Sequence, residues 1–335
     1  MAIKVAINGF GRIGRLSLRA LLESEDNDIE VVAINDLADL KTNAHLLKYD
    51  SAHGRMPFDV SCHGDVLQVD DRQVKVYAEP DPKQLPWAEH DVDVVWECTG
   101  RFTTGPSAGQ HLEAGAKHVV ISAPAKDVDR TVVCGVNHQT ITASDKIISN
   151  GSCTTNCLAP IAKTLHKAFG IKHGYMTTIH AYTGDQRLVD TAHTDLHRAR
   201  AAALSMIPTT TGAAKAVGLV LPELAGKLDG TAIRVPTANV SMVDFKFVPN
   251  KAITTQNINM ALEQATSNEL HGILAVTKDP LVSVDFNHSA HSATVALPQT
   301  QVVEEMFGRV MAWYDNEWGF SNRMADVTRH LMRVV

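Results

Sequence analysis

A cysteine flanked by small polar residues is the feature of this 335-residue chain best suited to chemistry. Cys153 lies in the stretch Ser149–Cys157, directly before an apolar run with helical spacing. A thiol at the first turn of a helix faces unpaired peptide N–H groups and the positive end of the helix dipole, and both favour the thiolate. The pattern therefore predicts a nucleophilic Cys153, whereas Cys157, deeper in the same helix, is predicted to be a buried structural thiol.

His180 is the candidate partner of this thiol. It ends an apolar stretch that is predicted to be a strand, 27 residues after Cys153. The end of a strand could bring the ring to the sulfur, where an imidazolium would stabilise a thiolate and a neutral ring would act as a base. The chain holds 16 histidines, so spacing alone leaves open whether His180 has this role or a structural one.

A glycine pattern near the amino terminus indicates a nucleotide site. Gly9, Gly11 and Gly14 form Gly-x-Gly-x-x-Gly between a predicted strand and a predicted helix. The first glycine permits a tight turn, the second lets a pyrophosphate approach the backbone, and the third lets the helix pack on the strand. Asp36 follows the next strand, where its carboxylate can accept hydrogen bonds from a ribose 2′-hydroxyl and would repel a 2′-phosphate. The alternative is a glycine-rich turn in an unrelated α/β protein.

Two further features favour binding of an anion. The segment 209–215, Thr-Thr-Thr-Gly-Ala-Ala-Lys, precedes an apolar helical run, and hydroxyls and free N–H groups at a helix start bind anions. Arg234 stands in an apolar strand, where an arginine is costly to bury without an anionic partner. That partner could be a ligand or an internal carboxylate. Thr183, shortly after His180, could supply another hydroxyl.

These residues need elements to position them, and the chain indicates two domains that meet near residue 150. The first half alternates strands and helices, which predicts a parallel sheet with ligands at the carboxyl ends of its strands. The predicted elements are strands 3–7, 30–34, 92–98, 118–122, 175–180, 231–235 and 241–247, and helices 13–22, 153–169 and 321–331. A polar segment without apolar rhythm, 181–201, predicts a functional or interface loop.

Composition argues against several classes of partner. The net charge is −6 with no block of Lys and Arg, so neither nucleic-acid binding nor binding to a membrane surface is predicted. No apolar stretch approaches the roughly 20 residues that span a bilayer, and no secretory signal is evident. The five cysteines are scattered, which favours reduced thiols in the cytoplasm, and no ligand spacing predicts a metal site.

With these motifs assembled, the chain resembles the phosphorylating glyceraldehyde-3-phosphate dehydrogenase family over nearly its whole length. The segments that carry the resemblance are 8–15, 149–160, 176–182, 207–217, 234–240 and 313–318. The resemblance implies a Rossmann-type, doubly wound parallel sheet over 1–150 and an α+β catalytic domain with a mixed or antiparallel sheet over 151–316. It also implies that a terminal helix, about 317–335, packs back on the first domain.

The resemblance also implies roles for single residues. Catalysis would rest on Cys153 as the thiolate and His180 as its activating base. The implied contacts to NAD, beyond the glycines and Asp36, are Arg12, Ile13, Ser122 and Asn316. The substrate phosphate would lie near Thr183 and Arg234, and the attacking inorganic phosphate near Ser152, Thr154, Arg198, Thr211 and Gly212.

The implied reaction is the oxidative phosphorylation of glyceraldehyde 3-phosphate to 1,3-bisphosphoglycerate. Cys153 attacks the aldehyde to give a hemithioacetal, His180 takes the hydroxyl proton as hydride leaves for NAD, and phosphate attacks the resulting thioester. Water must be excluded, or the thioester hydrolyses. The implied assembly is a homotetramer in which the segment 181–201 packs beside the cofactor of a neighbouring subunit.

Several positions depart from the family pattern. Gly151 stands where alanine is usual, and His197 replaces an arginine beside Arg198, which weakens the assignment of Arg198. Thr191 and Ala192 occupy positions at which strictly NAD-using bacterial members often carry Leu-Pro, so NAD preference with secondary use of NADP is predicted. The main alternative activity is that of the related erythrose-4-phosphate dehydrogenases, to which the segment 281–288 is similar.

Overall fold

The alternation of strands and helices in the first half builds a largely parallel sheet. In a computed structural model, which describes residues 2–26 and 28–335, the chain divides into two units. The first consists of Met1–Val132, His138–Gly151 and Ser321–Val335, and the second of Val133–Asn137 and Ser152–Phe320. The short segment 133–137, which the sequence prediction assigned to the first domain, thus belongs with the second unit.

The first unit contains short strands that are separated by helices or loops. Its strands are β1 (Ile3–Asn8), β2 (Ile29–Asn35), β3 (Tyr49–Asp50), β4 (Gly54–Arg55), β5 (Val60–His63), β6 (Val66–Val69), β7 (Arg72–Tyr77), β8 (Val94–Glu97), β9 (His118–Ile121), β10 (Arg130–Thr131) and β11 (Ile147–Ser149). Its helices are α1 (Arg12–Glu23), α2 (Leu40–Lys48), α3 (Gly105–Ala108) and α4 (Gln110–Glu113).

The main sheet of the first unit has the strand order β10-β11-β9-β8-β1-β2-β7-β6-β5. The pairs from β10 to β7 are parallel, and the β5–β6–β7 edge is antiparallel. Val5, Ala6 and Ile7 of β1 are completely buried, as expected for a central parallel strand covered on both faces. The register pairs Asn8 with both Asn35 and Glu97, so three polar side chains end neighbouring strands at one edge.

The second unit contains longer strands around a mixed sheet. Its elements are α5 (Cys153–Phe169), β12 (Ile171–Ala181), β13 (Ile207–Thr210), α6 (Ala213–Val220), β14 (Leu228–Val235), β15 (Ser241–Pro249), α7 (Thr255–Ser267), β16 (Leu274–Thr277), β17 (Ala293–Ala296), β18 (Gln301–Val303) and β19 (Phe307–Tyr314). The strand order is β13-β14-β12-β15-β19-β17-β16, with β18 beside β19. Only β12–β14 and β16–β17 are parallel among the described pairs. The predicted fold class, a doubly wound parallel sheet plus an α+β unit with a mixed sheet, is confirmed.

Local chemistry fixes the ends of helix α5. The Ser152 side chain caps its start by accepting a hydrogen bond from the N–H of Thr155, and Gly170, at a φ of 68°, ends it. The predicted bounds 153–169 match the observed helix. The chain between Ala181 and Ile207 forms neither helix nor strand, as predicted for the polar segment.

The last helix, α8 (Trp318–Val334), begins three residues before the predicted one. Its residues from Ser321 onward belong to the first unit, where Trp96 Nε1 donates to Thr328 Oγ1 at 2.8 Å. Short 3-10 turns occupy Pro82–Gln84, His138–Thr140, Pro222–Leu224, Ser283–Phe286 and Leu297–Gln299. In the described part of the chain, no helix combines the length and the apolar character that crossing a membrane requires.

Candidate functional site

The glycine turn after β1 has the geometry of a backbone brought close to its neighbours. Gly9 has a φ of 93°, and a Cβ atom there would lie 2.6 Å from the backbone nitrogen of Thr99. A Cβ at Gly14 would lie 2.1 Å from the Gly9 carbonyl oxygen, so α1 packs on the turn only with glycine at this position. At Gly11 no described atom lies within 4 Å of such a Cβ, which leaves room for a ligand at the start of α1.

Asp36 follows β2 and closes one side of the same turn. Its carboxylate accepts hydrogen bonds from the N–H of Phe10 at 2.6 Å and of Ala38 at 2.8 Å. A cavity of about 260 Å³ lies beside it. The residues that line this cavity are Asn8, Gly9, Gly11, Asn35, Asp36, Leu37, Glu79, Pro80, Cys98, Thr99, Arg101 and Phe102. A glycine turn at a helix start with a carboxylate beside it fits an adenine dinucleotide.

Not every predicted cofactor residue lines this cavity. Gly9, Gly11 and Asp36 line it, whereas Arg12, Ile13, Gly14 and Ser122 do not. Arg12 binds Asp50 through two contacts, Nη1 to Oδ2 at 2.5 Å and Nη2 to Oδ1 at 3.2 Å. Burial opposes ionisation of Asp50, but Arg12 and two backbone N–H donors outweigh it and lower its pKa to about 2.

Ser122 directly follows β9 and contacts a thiol of the cavity wall. Its N–H donates to the Glu97 carbonyl at 3.0 Å, and its hydroxyl bonds with the thiol of Cys98. Burial raises the pKa of Cys98 to about 12, and the bond with Ser122 only partly opposes this. Cys98 is therefore a neutral, unreactive thiol that contributes shape to the cavity.

A buried hydrogen-bond chain beneath the cavity was missed from the sequence. Trp87 Nε1 donates to His111 Nδ1 at 3.0 Å, which places the ring proton on Nε2, 3.0 Å from Glu97 Oε2. Asn8 Nδ2 also donates to Glu97 at 2.6 Å, and Asn35 Nδ2 donates to Asn8 Oδ1 at 2.7 Å. These hydrogen bonds hold the ends of β8, β1 and β2 in place. Their only signal in the sequence is that polar residues lie at the ends of three predicted strands or directly after them.

In the second unit, Cys153 and His180 are brought together. Cys153 is the first residue of α5, and its Sγ lies 3.6 Å from His180 Nε2. His180 is 4% exposed, and its Nδ1 lies 2.7 Å from the Ala181 carbonyl oxygen and 2.9 Å from Arg234 Nη1. The contact with Ala181 requires a proton on Nδ1, which leaves the Nε2 lone pair facing the sulfur, whereas a hydrogen bond from Arg234 requires the ring proton on Nε2.

Burial dominates the ionisation of this pair. It lowers the pKa of His180 to about 3, with help from the positive charge of Arg234. Burial also raises the pKa of Cys153, against the lowering effect of Arg234 and of hydrogen bonds at Thr154. The pKa of the Cys153 thiol is therefore shifted in the direction opposite to the one predicted from the helix terminus. Both shifts favour the neutral forms, a thiol beside an imidazole, and such a ring can accept the proton as the sulfur attacks.

Arg234 lies beside the imidazole because β12 and β14 are parallel and in register. The register pairs it with His180, and its Nη1 donates to the Ala181 carbonyl oxygen at 3.0 Å. Within residues 2–26 and 28–335 it forms no ion pair, and its Nε is buried without a hydrogen-bond partner. The sequence left open whether the anionic partner of Arg234 is a ligand or an internal carboxylate. No carboxylate of the described residues pairs with it, which favours a ligand.

The hydroxyls predicted to hold inorganic phosphate already have internal partners. Ser152 caps α5, and Thr154 Oγ1 lies 2.9 Å from the Tyr314 hydroxyl in the buried core. Thr211 Oγ1 accepts from the N–H of Ala213 at 3.2 Å, directly beside Gly212, which caps α6. The start of α6 is thus organised as a helix N-terminus, as predicted, with peptide N–H groups available there.

The other predicted phosphate ligands lie in the irregular segment that follows β12. The N–H of Thr183 donates to Gln186 Oε1 at 3.1 Å. Arg198 pairs with Asp185 at 2.7 Å, and its Nε donates to Thr209 Oγ1 at 2.9 Å. An arginine held by an acidic side chain offers less charge to an anion than Arg234 does, so Arg198 is the weaker of the two candidates.

Asn316, the predicted nicotinamide-side residue, is buried in the loop between β19 and α8. Its Oδ1 accepts from Ser241 Oγ at 2.8 Å. Tyr314, which sequence reasoning missed, lies edge-on to His180, with ring centroids 5.9 Å apart. The Tyr314 hydroxyl also lies 2.9 Å from both Thr154 and Thr178, so it supports the start of α5 from β12 and β19.

The first unit's fold and cavity, and the second unit's thiol–imidazole pair, define the class as a nicotinamide-dependent oxidoreductase. Residues 3–105 match the family described as glyceraldehyde 3-phosphate dehydrogenase, NAD binding domain, and residues 152–316 match glyceraldehyde 3-phosphate dehydrogenase, C-terminal domain. The chain belongs to the glyceraldehyde-3-phosphate dehydrogenase family.

Similar proteins carry the same name. The chain is 60% identical, over 97% of each chain, to a glyceraldehyde-3-phosphate dehydrogenase of Xanthobacter flavus. It is 58% identical, over the full length of both chains, to that of Cereibacter sphaeroides. It is also 56% identical to that of Geobacillus stearothermophilus, over 99% of this chain and 98% of the relative. The predicted resemblance is therefore confirmed, with NAD as the cofactor of the family domain.

Proposed function

We propose that this protein oxidises glyceraldehyde 3-phosphate with NAD and inorganic phosphate to give 1,3-bisphosphoglycerate. The observation that carries the proposal is the 3.6 Å approach of Cys153 Sγ to His180 Nε2, beside Arg234, whose buried Nε has no hydrogen-bond partner. Relatives named for this activity, at 58–60% identity over nearly the whole chain, support it. They do not favour the erythrose-4-phosphate alternative.

His180 supplies proton transfer at both ends of the oxidation. Its neutral Nε2 takes the thiol proton as Cys153 attacks the aldehyde, and the resulting imidazolium donates to the new alkoxide to give a neutral hemithioacetal. The same ring then removes the hydroxyl proton as hydride departs. In the proposed tautomer the ring proton is on Nδ1, and its hydrogen bond to the Ala181 carbonyl keeps the ring in the orientation that both transfers need.

NAD supplies the hydride acceptor when it is bound. We assign the unit of residues 1–150, with the terminal helix about 317–335, to NAD binding and residues 151–316 to catalysis. Gly9, Gly11 and Gly14 would shape the turn for the pyrophosphate, with the peptide groups of Arg12 and Ile13 at the helix start. The remaining proposed contacts are Asp36, Ser122 and Asn316.

Two anion sites follow from a phosphorylated substrate and a phosphate nucleophile. Arg234 and Thr183 would hold the substrate phosphate, and the unpaired, buried Nε of Arg234 supports this assignment. The attacking phosphate would lie near the helix starts of α5 and α6. Its proposed ligands are Ser152, Thr154, Arg198, Thr211 and Gly212. Phosphate then attacks the Cys153 thioester and releases the thiol.

We further propose a cytoplasmic homotetramer with secondary use of NADP. Large apolar side chains stand exposed in the irregular segment after β12, and assembly would bury them. These are Leu188, Val189, Leu196, Leu204 and Met206. The cysteines are free thiols, which supports a reducing compartment. The small, exposed side chains of Thr191 and Ala192 support tolerance of NADP.

Initial rates of NADH or NADPH formation test the proposal. The design crosses NAD with NADP, phosphate with none, and glyceraldehyde 3-phosphate with erythrose 4-phosphate. We expect the highest rate with NAD, phosphate and glyceraldehyde 3-phosphate. Cys153→Ser should abolish the reaction, and the half-buried Cys62→Ser is the matched control. A wild-type rate that is independent of phosphate would defeat the assignment.

A further inference from the structure

A buried hydroxyl connects the loop that carries Asn316 to the strand that carries His180. Ser241 is the first residue of β15 and is 1% exposed. Its Oγ accepts a hydrogen bond from the N–H of Ala181 at 3.0 Å and donates to Asn316 Oδ1 at 2.8 Å. Ala181 directly follows His180 on β12, so one hydroxyl is bonded to both elements.

The hydrogen-bond roles decide which way the Asn316 amide points. A peptide N–H can only donate, so Ser241 Oγ must accept from Ala181. The single hydroxyl proton of Ser241 then needs an acceptor, because a buried unpaired donor is costly. Asn316 offers an acceptor only through Oδ1. If the amide were flipped, its NH₂ group would face Ser241 and the hydroxyl proton would lose this partner.

The backbone around Asn316 is held separately, by Asp315. The Asp315 carboxylate is 2% exposed and accepts hydrogen bonds on both sides of the loop. Its donors are Asn239 Nδ2 at 2.8 Å and the N–H groups of His288, Glu317 and Trp318 at 2.7, 2.9 and 2.7 Å. With the backbone fixed in this way, the remaining freedom of Asn316 is the rotation of its side-chain amide.

We propose that Ser241 is a positioning residue which locks the Asn316 amide so that Nδ2 is presented as a hydrogen-bond donor. Asn316 Nδ2 makes no hydrogen bond within the described residues, although Oδ1 is paired. A donor presented in this way selects a planar ligand group with a carbonyl acceptor, such as the carboxamide of nicotinamide. The inference rests on the proposed function, in which Asn316 contacts the nicotinamide side of NAD.

The comparison of NAD with ADP-ribose tests the lock, because ADP-ribose has every part of NAD except the nicotinamide. Dissociation constants are measured by calorimetry on the purified, assembled enzyme. Ser241→Ala should weaken NAD binding about fivefold, the worth of one hydrogen bond, and leave ADP-ribose binding unchanged. Ser241→Thr keeps a hydroxyl and should restore most of the NAD affinity. Ser292→Ala, which truncates another buried serine of the same unit, is the matched control.

A double-mutant cycle separates positioning from general loosening of the fold. If Ser241 acts through Asn316, Ser241→Ala should have little further effect on NAD affinity in an Asn316→Ala background. Equal weakening of NAD and ADP-ribose, no weakening of either, or additive effects of the two substitutions would overturn the inference. Asn316→Ala alone should reproduce the NAD-specific loss. If Ser241→Ala folds poorly, Ser241→Cys carries the test, because it keeps the side-chain size with a much weaker hydrogen-bond donor and should also weaken NAD binding but not ADP-ribose binding.

Failure of this inference is distinguishable from failure of the proposed function. A wild-type enzyme without phosphate-dependent NADH formation contradicts the proposed function, whatever the variants do. A wild-type enzyme with that activity, together with a Ser241→Ala variant that binds NAD normally, contradicts only the role of Ser241.

Discussion

The neutral imidazole of His180 makes a quantitative prediction about unfolding. An ordinary histidine has a pKa of 6.5, whereas burial and Arg234 lower the pKa of folded His180 to about 3. Between these values the unfolded chain binds a proton at this ring and the folded chain does not. Unfolding therefore takes up a proton, and the folded state loses stability as the pH falls from 6.5 towards 3.

The size of the effect follows from the two pKa values. The stability lost through this ring is about 1.4 kcal/mol at pH 5.5 and about 2.7 kcal/mol at pH 4.5, because each pH unit costs about 1.4 kcal/mol in this range. At pH 5 the unfolded ring is almost fully protonated and the folded ring almost fully neutral. Unfolding should thus take up about one proton per chain at His180.

Proton uptake is measured directly in a pH-stat as urea unfolds the protein at pH 5. His180→Asn should take up about one proton fewer per chain than the wild type. This readout needs no reversible unfolding, which suits a large chain. His118 and His330, whose pKa values are also lowered chiefly by burial, contribute with the same sign in both proteins and cancel in the difference.

His173, an exposed ring on the same strand, provides the matched His173→Asn control for loss of a histidine. Equal proton uptake by the wild type and His180→Asn would refute the reasoning. It would mean that the ring is charged in the folded protein, and the neutral thiol–imidazole pair would have to be replaced by a thiolate–imidazolium pair.

Three further predictions concern the nucleotide turn and helix α5. Asp36→Asn should raise the ratio of kcat/KM for NADP to kcat/KM for NAD about tenfold. The substitution removes a negative charge whose repulsion of a 2′-phosphate is worth roughly 1–2 kcal/mol. An unchanged ratio would contradict the role of Asp36. Gly14→Ala should destabilise the fold by about 2 kcal/mol and weaken NAD binding, because its Cβ would lie 2.1 Å from the Gly9 carbonyl oxygen. Urea unfolding measures the first effect and calorimetry the second. An unfolding midpoint equal to that of the wild type would contradict the close packing. Ser152→Ala should lower the free energy of unfolding by about 1 kcal/mol, because it removes the cap of α5. Ser144→Ala, at an exposed position, is the control for loss of a hydroxyl. Equal stability of the two variants would exclude a stabilising cap at Ser152.

The features that could be predicted from the sequence are those set by short-range chemistry. The bounds of α5 follow from Ser152 as the cap and Gly170 as the terminator. The turn at Gly9 follows from a positive φ that other residues rarely adopt, and the strands follow from the spacing of apolar residues. Short strands such as β3, β4 and β10, with two residues each, were not predicted because they contain too few residues to show a period.

Tertiary structure decided which polar residues meet and how they ionise. Only the parallel register of β12 and β14 places Arg234 beside His180, and no local pattern singles this ring out from the other histidines. The Glu97–His111 pair and the Ser241–Asn316 bond join residues that are 14 and 75 positions apart, so neither shows as a motif.

The sequence by itself determined the family and the nucleotide turn and singled out Cys153 as the candidate nucleophile, because each depends on neighbouring residues and their backbone. The prediction of a thiolate from the sequence considered only the effect of the helix terminus. Burial acts in the opposite direction and raises the pKa of Cys153. Burial depends on what the rest of the chain packs around a group, so the protonation of the Cys153–His180 pair was decided by the fold.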